Sequence, residues 1–212
     1  TNLRLLDCGC GTGNNLALLE RFGRAYGFDL TASGLAFGRS AGRTRLARAS
    51  VSAVPFPDEA FDIVTSFDVL YSLPDPVEQA AIREMYRVTK PGGWILINVA
   101  AMELLRGDHS VLSHEVRRYS RETLARLVTG AGFRIERITY TNAVLFPPMA
   151  LARAIQRRRG LSAEVGAQHE ITVPAAPVNL ALSAALALES LWVRVIDNPF
   201  GSSLLCLARK PA

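Results

Sequence analysis

Along most of this chain, apolar runs of strand length alternate with stretches whose apolar residues recur at helical spacing. Leu3, Leu5 and Leu6 make a run suited to a strand covered on both faces, predicted over residues 3–8. Leu16, Leu18 and Leu19 then turn one face of a helix over 14–22 toward a core. A strand over 24–29, a helix over 31–40 capped by Thr31 or Ser33, and a strand over 45–50 complete the first half. A Pro-Phe-Pro-Asp turn at 55–58 leads into an apolar strand over 60–66. Val77, Ala80, Ala81, Met85 and Val88, with charges between them, predict a surface helix over 76–88. Pro91-Gly92 fits a type II turn into a buried strand over 94–100. Residues 101–119 read as a loop, and Ser120 as the N-cap of a helix reaching Thr129 and ended by Gly130-Ala131-Gly132. A sixth strand over 133–140 and a last strand over 203–208, antiparallel beside it, close the pattern.

Between those two strands the alternation breaks. Pro147-Pro148 starts an amphipathic helix to Arg159, residues 161–177 read as a loop, and 178–196 as a mostly apolar helix broken by Asn179, Glu189 and Arg194. Its apolar surface exceeds what one exposed helix face carries. Packing on the sheet is the expectation, with a lid over a lipophilic acceptor or a homodimer seam as the other uses.

With 212 residues and 49% hydrophobic content, the chain suffices for one domain over 1–212, carrying a helical insertion at about 147–200. Its longest apolar stretches fall short of the roughly 20 residues that span a bilayer, so no transmembrane segment is expected. No signal peptide is visible. Cys8, Cys10 and Cys206 have neither metal-ligand spacing nor a paired framework, which predicts no metal site and a reduced, cytoplasmic setting. The net charge of +5 comes almost wholly from arginine, clustered only at Arg117-Arg118 and Arg157-Arg158-Arg159. Aromatic residues are not interleaved with those clusters as base stacking requires, so nucleic acid is not the expected partner.

The chemistry concentrates where the first strand ends, in Asp7-Cys8-Gly9-Cys10-Gly11-Thr12-Gly13. A ligand across such a turn meets bare backbone N–H groups and the positive end of a helix. A dinucleotide fingerprint wants glycine or alanine where this chain has Asn14, and the Gly-Lys-Ser/Thr ending of a phosphate loop is missing. Asp7 would face a cationic ammonium but repel pyrophosphate. Asp29, at the end of the second strand, suits a ribose diol, and Leu30 beside it suits one face of a purine.

That combination resembles the class I S-adenosylmethionine-dependent methyltransferases, in particular the type 11 group. The stretch Val54-Pro55-Phe56-Pro57-Asp58-Glu59-Ala60-Phe61-Asp62-Ile63-Val64 is similar to that group's Leu-Pro-Phe segment and fourth strand. Arg87-Val88-Thr89-Lys90-Pro91-Gly92-Gly93 is similar to its turn before the fifth, so the motifs span residues 3–100 in the family's order. The resemblance implies an α/β, Rossmann-like doubly wound sheet of seven strands with the last antiparallel. It also implies S-adenosyl-L-methionine as cofactor. By position, Asp7, Gly9, Cys10 and Gly11 would hold the methionine part and Asp29 and Leu30 the ribose and adenine. Ser50 and Val51 would line the adenine edge, and Phe67 would stand near the sulfonium.

Ser50 replaces the Asp that many relatives use for the adenine amino group, and Ser72 stands where relatives often have a His. Relatives also carry lid helices before the first strand; here the lid is expected to be trimmed or supplied from elsewhere. The implied reaction moves a methyl to an O, N or C nucleophile of a small, lipophilic or aromatic acceptor. His109 and His114 are the candidate bases by intrinsic pKa, with Asp68 and Tyr119 behind them. His114, Arg117, Arg118, Tyr119 and Ser120 match a His-x-x-Arg-Arg-Tyr-Ser element of the group, and both loop anchoring and substrate contact stay open for them. RNA or protein methylation is the rival within the enzyme class. A non-catalytic S-adenosylmethionine sensor or subunit is the rival outside it.

Overall fold

The computed structural model describes residues 2–107, 110, 114–159 and 175–212. The first half runs β1 (Leu3–Cys8), α1 (Asn14–Leu19), β2 (Gly23–Asp29), α2 (Ala32–Ser40) and β3 (Leu46–Arg48). The second runs β4 (Phe61–Phe67), α3 (Asp75–Val88), β5 (Thr89–Ala100), α4 (Arg121–Gly130), β6 (Arg134–Thr141), α5 (Phe146–Arg159), α6 (Ala176–Trp192) and β7 (Ser203–Arg209). All seven strands form one sheet in the order β3-β2-β1-β4-β5-β7-β6. β7 is antiparallel to both of its neighbours, and the other pairings are parallel. This is the doubly wound α/β sheet that the sequence predicts. After β1 the chain winds outward to β3, then returns to β4 on the other side of β1. The carboxyl ends of β1 and β4 therefore flank the point where the winding reverses, and a crevice opens there.

Strand alternation explains the layers. Leu6 and Cys8 join Val64, Ile95, Ile97 and Leu204 in the larger core, on one face. Leu5 and Ala25 pack with Leu16 and Leu19 of α1 on the other. Ser120 caps α4 as predicted: the Thr123 N–H donates to its Oγ at 3.2 Å, and its own N–H donates to Thr123 Oγ1 at 2.9 Å. β5 begins five residues earlier than expected. Lys90 to Gly93 loop out between its pairing of Thr89 with Phe61 and of Trp94 with Ile63; the Gly92 N–H donates to the Lys210 carbonyl and the Lys210 N–H to the Gly93 carbonyl, closing the loop.

The insertion departs most from expectation. Pro177 lies in the first turn of α6 rather than in the loop, where its missing N–H costs nothing; residues 161–174 of that predicted loop lie outside the described residues. Glu189, one of the polar residues that interrupt the apolar run of α6, faces inward. Its buried carboxylate accepts from the N–H groups of Ala143 at 2.9 Å and Val144 at 3.0 Å and from Asn198 Nδ2 at 3.1 Å. Arg137 of β6 ties down the turn that follows α6, donating to the carbonyls of Val193, Arg194 and Ile196, and pairs with Asp197 at 2.7 Å. With these tethers α6 stands off the sheet instead of covering it, and most of its large apolar residues are exposed. Among the described residues, no helix is long and apolar enough to cross a membrane.

One close approach positions the site. A Cβ at Gly38 of α2 would stand 2.6 Å from the Thr12 carbonyl oxygen and 2.9 Å from Leu46 Cδ1. The helix can lie this tightly against the glycine turn only without a side chain there. Alanine gains about 1 kcal/mol over glycine in an open helix. Gly38→Ala is nevertheless expected to lower the melting temperature, because helix and turn must separate. Thermal unfolding checks this, and a variant melting above the parent would mean the contact is slack.

Candidate active site

The site is built on the end of β1. Gly9, Gly11 and Gly13 have φ values of 76°, 54° and 74°, in the left-handed region that glycine enters at little cost. The N–H groups of Gly9 and Cys10 both donate to the Phe28 carbonyl at 2.9 Å, which ties the turn to β2. A Cβ on Gly9 would come within 2.4 Å of Val69, whereas one on Gly11 would meet no protein atom within 4 Å. The turn is thus held from below and open above. α1 has only six residues, so its macrodipole is weak, and the N–H groups of Gly9, Cys10, Gly11 and Gly13 are engaged within the protein rather than bare as the sequence predicts.

Two carboxylates flank the turn in different states. Asp29 Oδ2 accepts from the Gly11 N–H at 2.8 Å and its Oδ1 from the Thr31 N–H at 2.7 Å. Each oxygen keeps acceptor capacity for the hydroxyls of a diol. Asp7 is 1% exposed. Its register in the sheet places it beside Thr65 of β4, whose hydroxyl donates to Asp7 Oδ1 at 2.7 Å, while Oδ2 is buried without a partner. Burial raises its pKa to about 6, against the lowering effect of the Thr65 hydrogen bond and of the nearby Asn15 side chain, which stands outside hydrogen-bond geometry. An orphaned carboxylate oxygen under a glycine turn fits an ammonium group, which would supply the missing donor and charge.

Above the turn lies a cleft of about 360 Å³. Gly9 and Asp29 form its floor, and Leu30, Ser50 and Val51 one wall. Val69, Leu73 and Val77 form much of the opposite wall, joined by Ser72, and Asp68 lies at its edge. Gly9, Asp29, Leu30, Ser50 and Val51, expected from the sequence, thus converge on one space. Asp7, Cys10 and Gly11 lie in or beneath its floor. Cys10 fits against Gly27, and burial with the nearby Asp7 charge pushes its thiol up to about 12, so it contributes backbone and packing rather than a thiolate. The Ser50 hydroxyl is already engaged, 2.8 Å from Ser52 Oγ. Phe67 is not among the lining residues; it pairs across the sheet with Asn98. Spacing does not reveal Thr65, Val69, Leu73 or Val77. The polar Thr65-Ser66 pair inside an otherwise apolar strand was the available signal for the first.

The candidate bases separate. Asp68 has φ 59° and accepts from Asn98 Nδ2 at 3.0 Å. It lines both the cleft and a second cavity of about 220 Å³ that extends to Tyr71, Glu115, Met149, Ser202 and Ser203. His114 is an exposed turn residue that lines neither space, and His109 lies outside the described residues. Tyr119 is placed otherwise than a base requires: it is buried, its hydroxyl donates to Glu78, and burial with that carboxylate drives its pKa far up. Arg117 donates to the Leu73 carbonyl at 2.7 Å and pairs with Asp75 and Glu78. Arg118 forms a buried, two-pronged pair with Glu115 and donates to the Ala101 carbonyl at 3.0 Å. Of the two roles left open by the sequence, these contacts support anchoring of the loop. No cluster of His, Cys, Asp or Glu able to hold a metal occurs among the described residues.

Comparison with known proteins agrees with this geometry. A family model described as "Methyltransferase domain" matches residues 6–97. A demethylmenaquinone methyltransferase of Roseiflexus castenholzii is 33% identical over 167 residues, covering 75% of this chain and 68% of its own. A ubiquinone/menaquinone biosynthesis C-methyltransferase UbiE of Pectobacterium carotovorum is 36% identical over 107 residues, covering 45% and 42%. The aligned stretches span from 42% to 69% of such relatives' own lengths. An S-adenosylmethionine-dependent methyltransferase structure from Mesorhizobium loti shares the fold, with a TM-score of 0.63 at 18% identity, over 99% of this chain and 91% of that one.

The state of Asp7 generates a test with a definite sign. Its raised pKa means that ionisation is penalised in the unliganded fold; the penalty is absent below the ordinary carboxylate range and complete above about pH 6. Asp7→Asn keeps an acceptor for Thr65 and removes the charge. The melting temperature of the unliganded variant should therefore rise above the parent's as pH climbs from about 4 through 6. Loss of a charge-assisted contact should weaken cofactor binding about 10- to 100-fold at neutral pH, as read by calorimetry. Unchanged affinity would separate Asp7 from the ligand.

Proposed function

We propose that this chain, which belongs to the class I S-adenosylmethionine-dependent methyltransferases of the type 11 group, methylates a ring carbon of a hydroxylated aromatic or quinol acceptor. The observation that carries the reading is Asp68, which alone among the described residues lines both the cofactor cleft and the second cavity. The activities for which the relatives are named, demethylmenaquinone methylation and C-methylation in ubiquinone and menaquinone biosynthesis, support the acceptor class.

The cofactor, when bound, supplies a methyl on a sulfonium that departs as a neutral thioether. Asp7 Oδ2 would receive its ammonium, Asp29 its ribose hydroxyls, and the wall of Leu30, Ser50 and Val51 its purine. Asp68 accepts the proton of the acceptor hydroxyl at the junction of the two spaces. The oxyanion so formed pushes electron density onto the neighbouring ring carbon, which becomes the nucleophile. After the new carbon–carbon bond forms, that carbon gives its proton to solvent water, the ring regains its aromaticity, and Asp68 returns its proton to the ring oxygen. Val69, Leu73 and Val77 keep the cleft wall apolar and limit water. Ser202 and Ser203, which also line the second cavity, offer hydroxyls to the acceptor's other oxygen. Most of the remaining acceleration comes from holding carbon, methyl and sulfur in line.

Incubation with S-adenosylmethionine and a reduced demethylated naphthoquinone should add one methyl to a ring carbon, located by mass spectrometry and NMR. Asp68→Asn should lower kcat at least 100-fold while changing cofactor affinity far less. Full turnover in that variant would exclude Asp68 as the base. Methylation of RNA or protein with none of the quinol would move the acceptor to those classes.

A further inference from the structure

α6 carries an apolar face that no described residue covers. Leu182, Ala185, Leu186, Glu189 and Val193 turn wholly or partly inward. On the opposite side Leu180, Ala184, Ala187, Leu188, Leu191 and Val195 follow one another at helical spacing and are all exposed, Val195 to 81%. Monomeric proteins rarely leave a contiguous apolar surface of this kind in water. α5 repeats the pattern: Leu151, Ile155 and Arg158, four and three residues apart, form one exposed stripe that ends in a cation. The two helices are joined at their base, where the Phe146 and Phe200 rings lie 5.2 Å apart and Glu189 holds the N–H groups of Ala143 and Val144.

Charge identifies the covering surface. Together α5 and α6 contain a single acidic residue, Glu189, and it is buried and turned inward. The exposed cations are Arg158, in the last turn of α5, and Arg194, just beyond the end of α6, where the acidic Asp197 is already paired with Arg137. A second copy of the chain would bring its own arginines to the same surface. A layer of anionic headgroups over acyl chains meets both demands, receiving the leucines below and the guanidinium groups at its polar boundary. We propose that α6, with the exposed stripe of α5, docks this protein on an anionic bilayer surface without crossing it. The proposal stands on this surface and not on the identity of the acceptor, and vesicle binding is read without turnover, so either can fail alone.

The test is co-sedimentation of the whole chain with vesicles of phosphatidylcholine alone and of phosphatidylcholine with about one-third phosphatidylglycerol, with light scattering of the chain in solution. Binding to the mixed vesicles is expected to be roughly tenfold or more tighter than to the neutral ones, and to weaken with salt. Leu188→Glu with Leu191→Glu should abolish binding to both, and Arg158→Glu with Arg194→Glu should remove the preference for the anionic lipid. Val195→Glu is the milder substitute if the double variant melts early. Equal binding to both vesicles overturns the role of the arginines. No vesicle binding overturns the proposal outright, in favour of self-association if the chain is a dimer that Leu188→Glu with Leu191→Glu dissociates.

Discussion

A half-satisfied carboxylate in the centre of the sheet is the constraint on which the site depends. Asp7 receives one hydrogen bond from Thr65 and leaves its other oxygen buried and bare. Ionised in that state, it costs the unliganded fold up to about 3 kcal/mol, a large share of the stability of a typical domain. A fold tolerates such a group where a ligand completes it. The surrounding features serve the same end: glycines that keep the turn open above and close-packed below, and α2 pressed against Thr12 through Gly38. Asp29 braces the turn through Gly11 while its oxygens still face the cleft.

The acceptor side is built by different means. Asp68 is aimed by a left-handed backbone residue just beyond β4 and steadied by Asn98 of β5. The loop from Ala101 to Tyr119 is clamped where it is described, Arg117 to the start of α3 and Arg118 to the carboxyl edge of β5. A buried two-pronged Arg118–Glu115 pair adds little net stability against an apolar alternative, but it fixes geometry and is costly to break. The cavity wall therefore has a defined shape beside Asp68 rather than a mobile strap.

Features encoded locally were legible in the sequence. The β1 run ending in Asp7, the glycine turn, Asp29 after β2 and the Ser120 cap each depend on residues a few positions apart, and each stands where spacing places it. Features made by distant residues were not. Thr65 matters to Asp7 only through strand register, and Glu189 reads only as a polar interruption of an apolar helix until the N–H groups of Ala143 and Val144 are brought to it. Tyr119 looked available as a base because composition does not disclose that Glu78 faces it across the loop. Phe67 was one residue early: the sharp turn at Asp68 puts Asp68 and Val69, not Phe67, on the cleft.

The central claim is that Asp7 Oδ2 holds the ammonium of the bound cofactor. Its most direct test is calorimetry of S-adenosylmethionine binding at about pH 6 in buffers of different ionisation enthalpy. A carboxyl half protonated in the free protein and ionised beside a cation must release about half a proton on binding. 5′-Methylthioadenosine, which lacks the amino acid portion, should release none. Equal proton release by the two ligands, or none by either, would contradict the assignment.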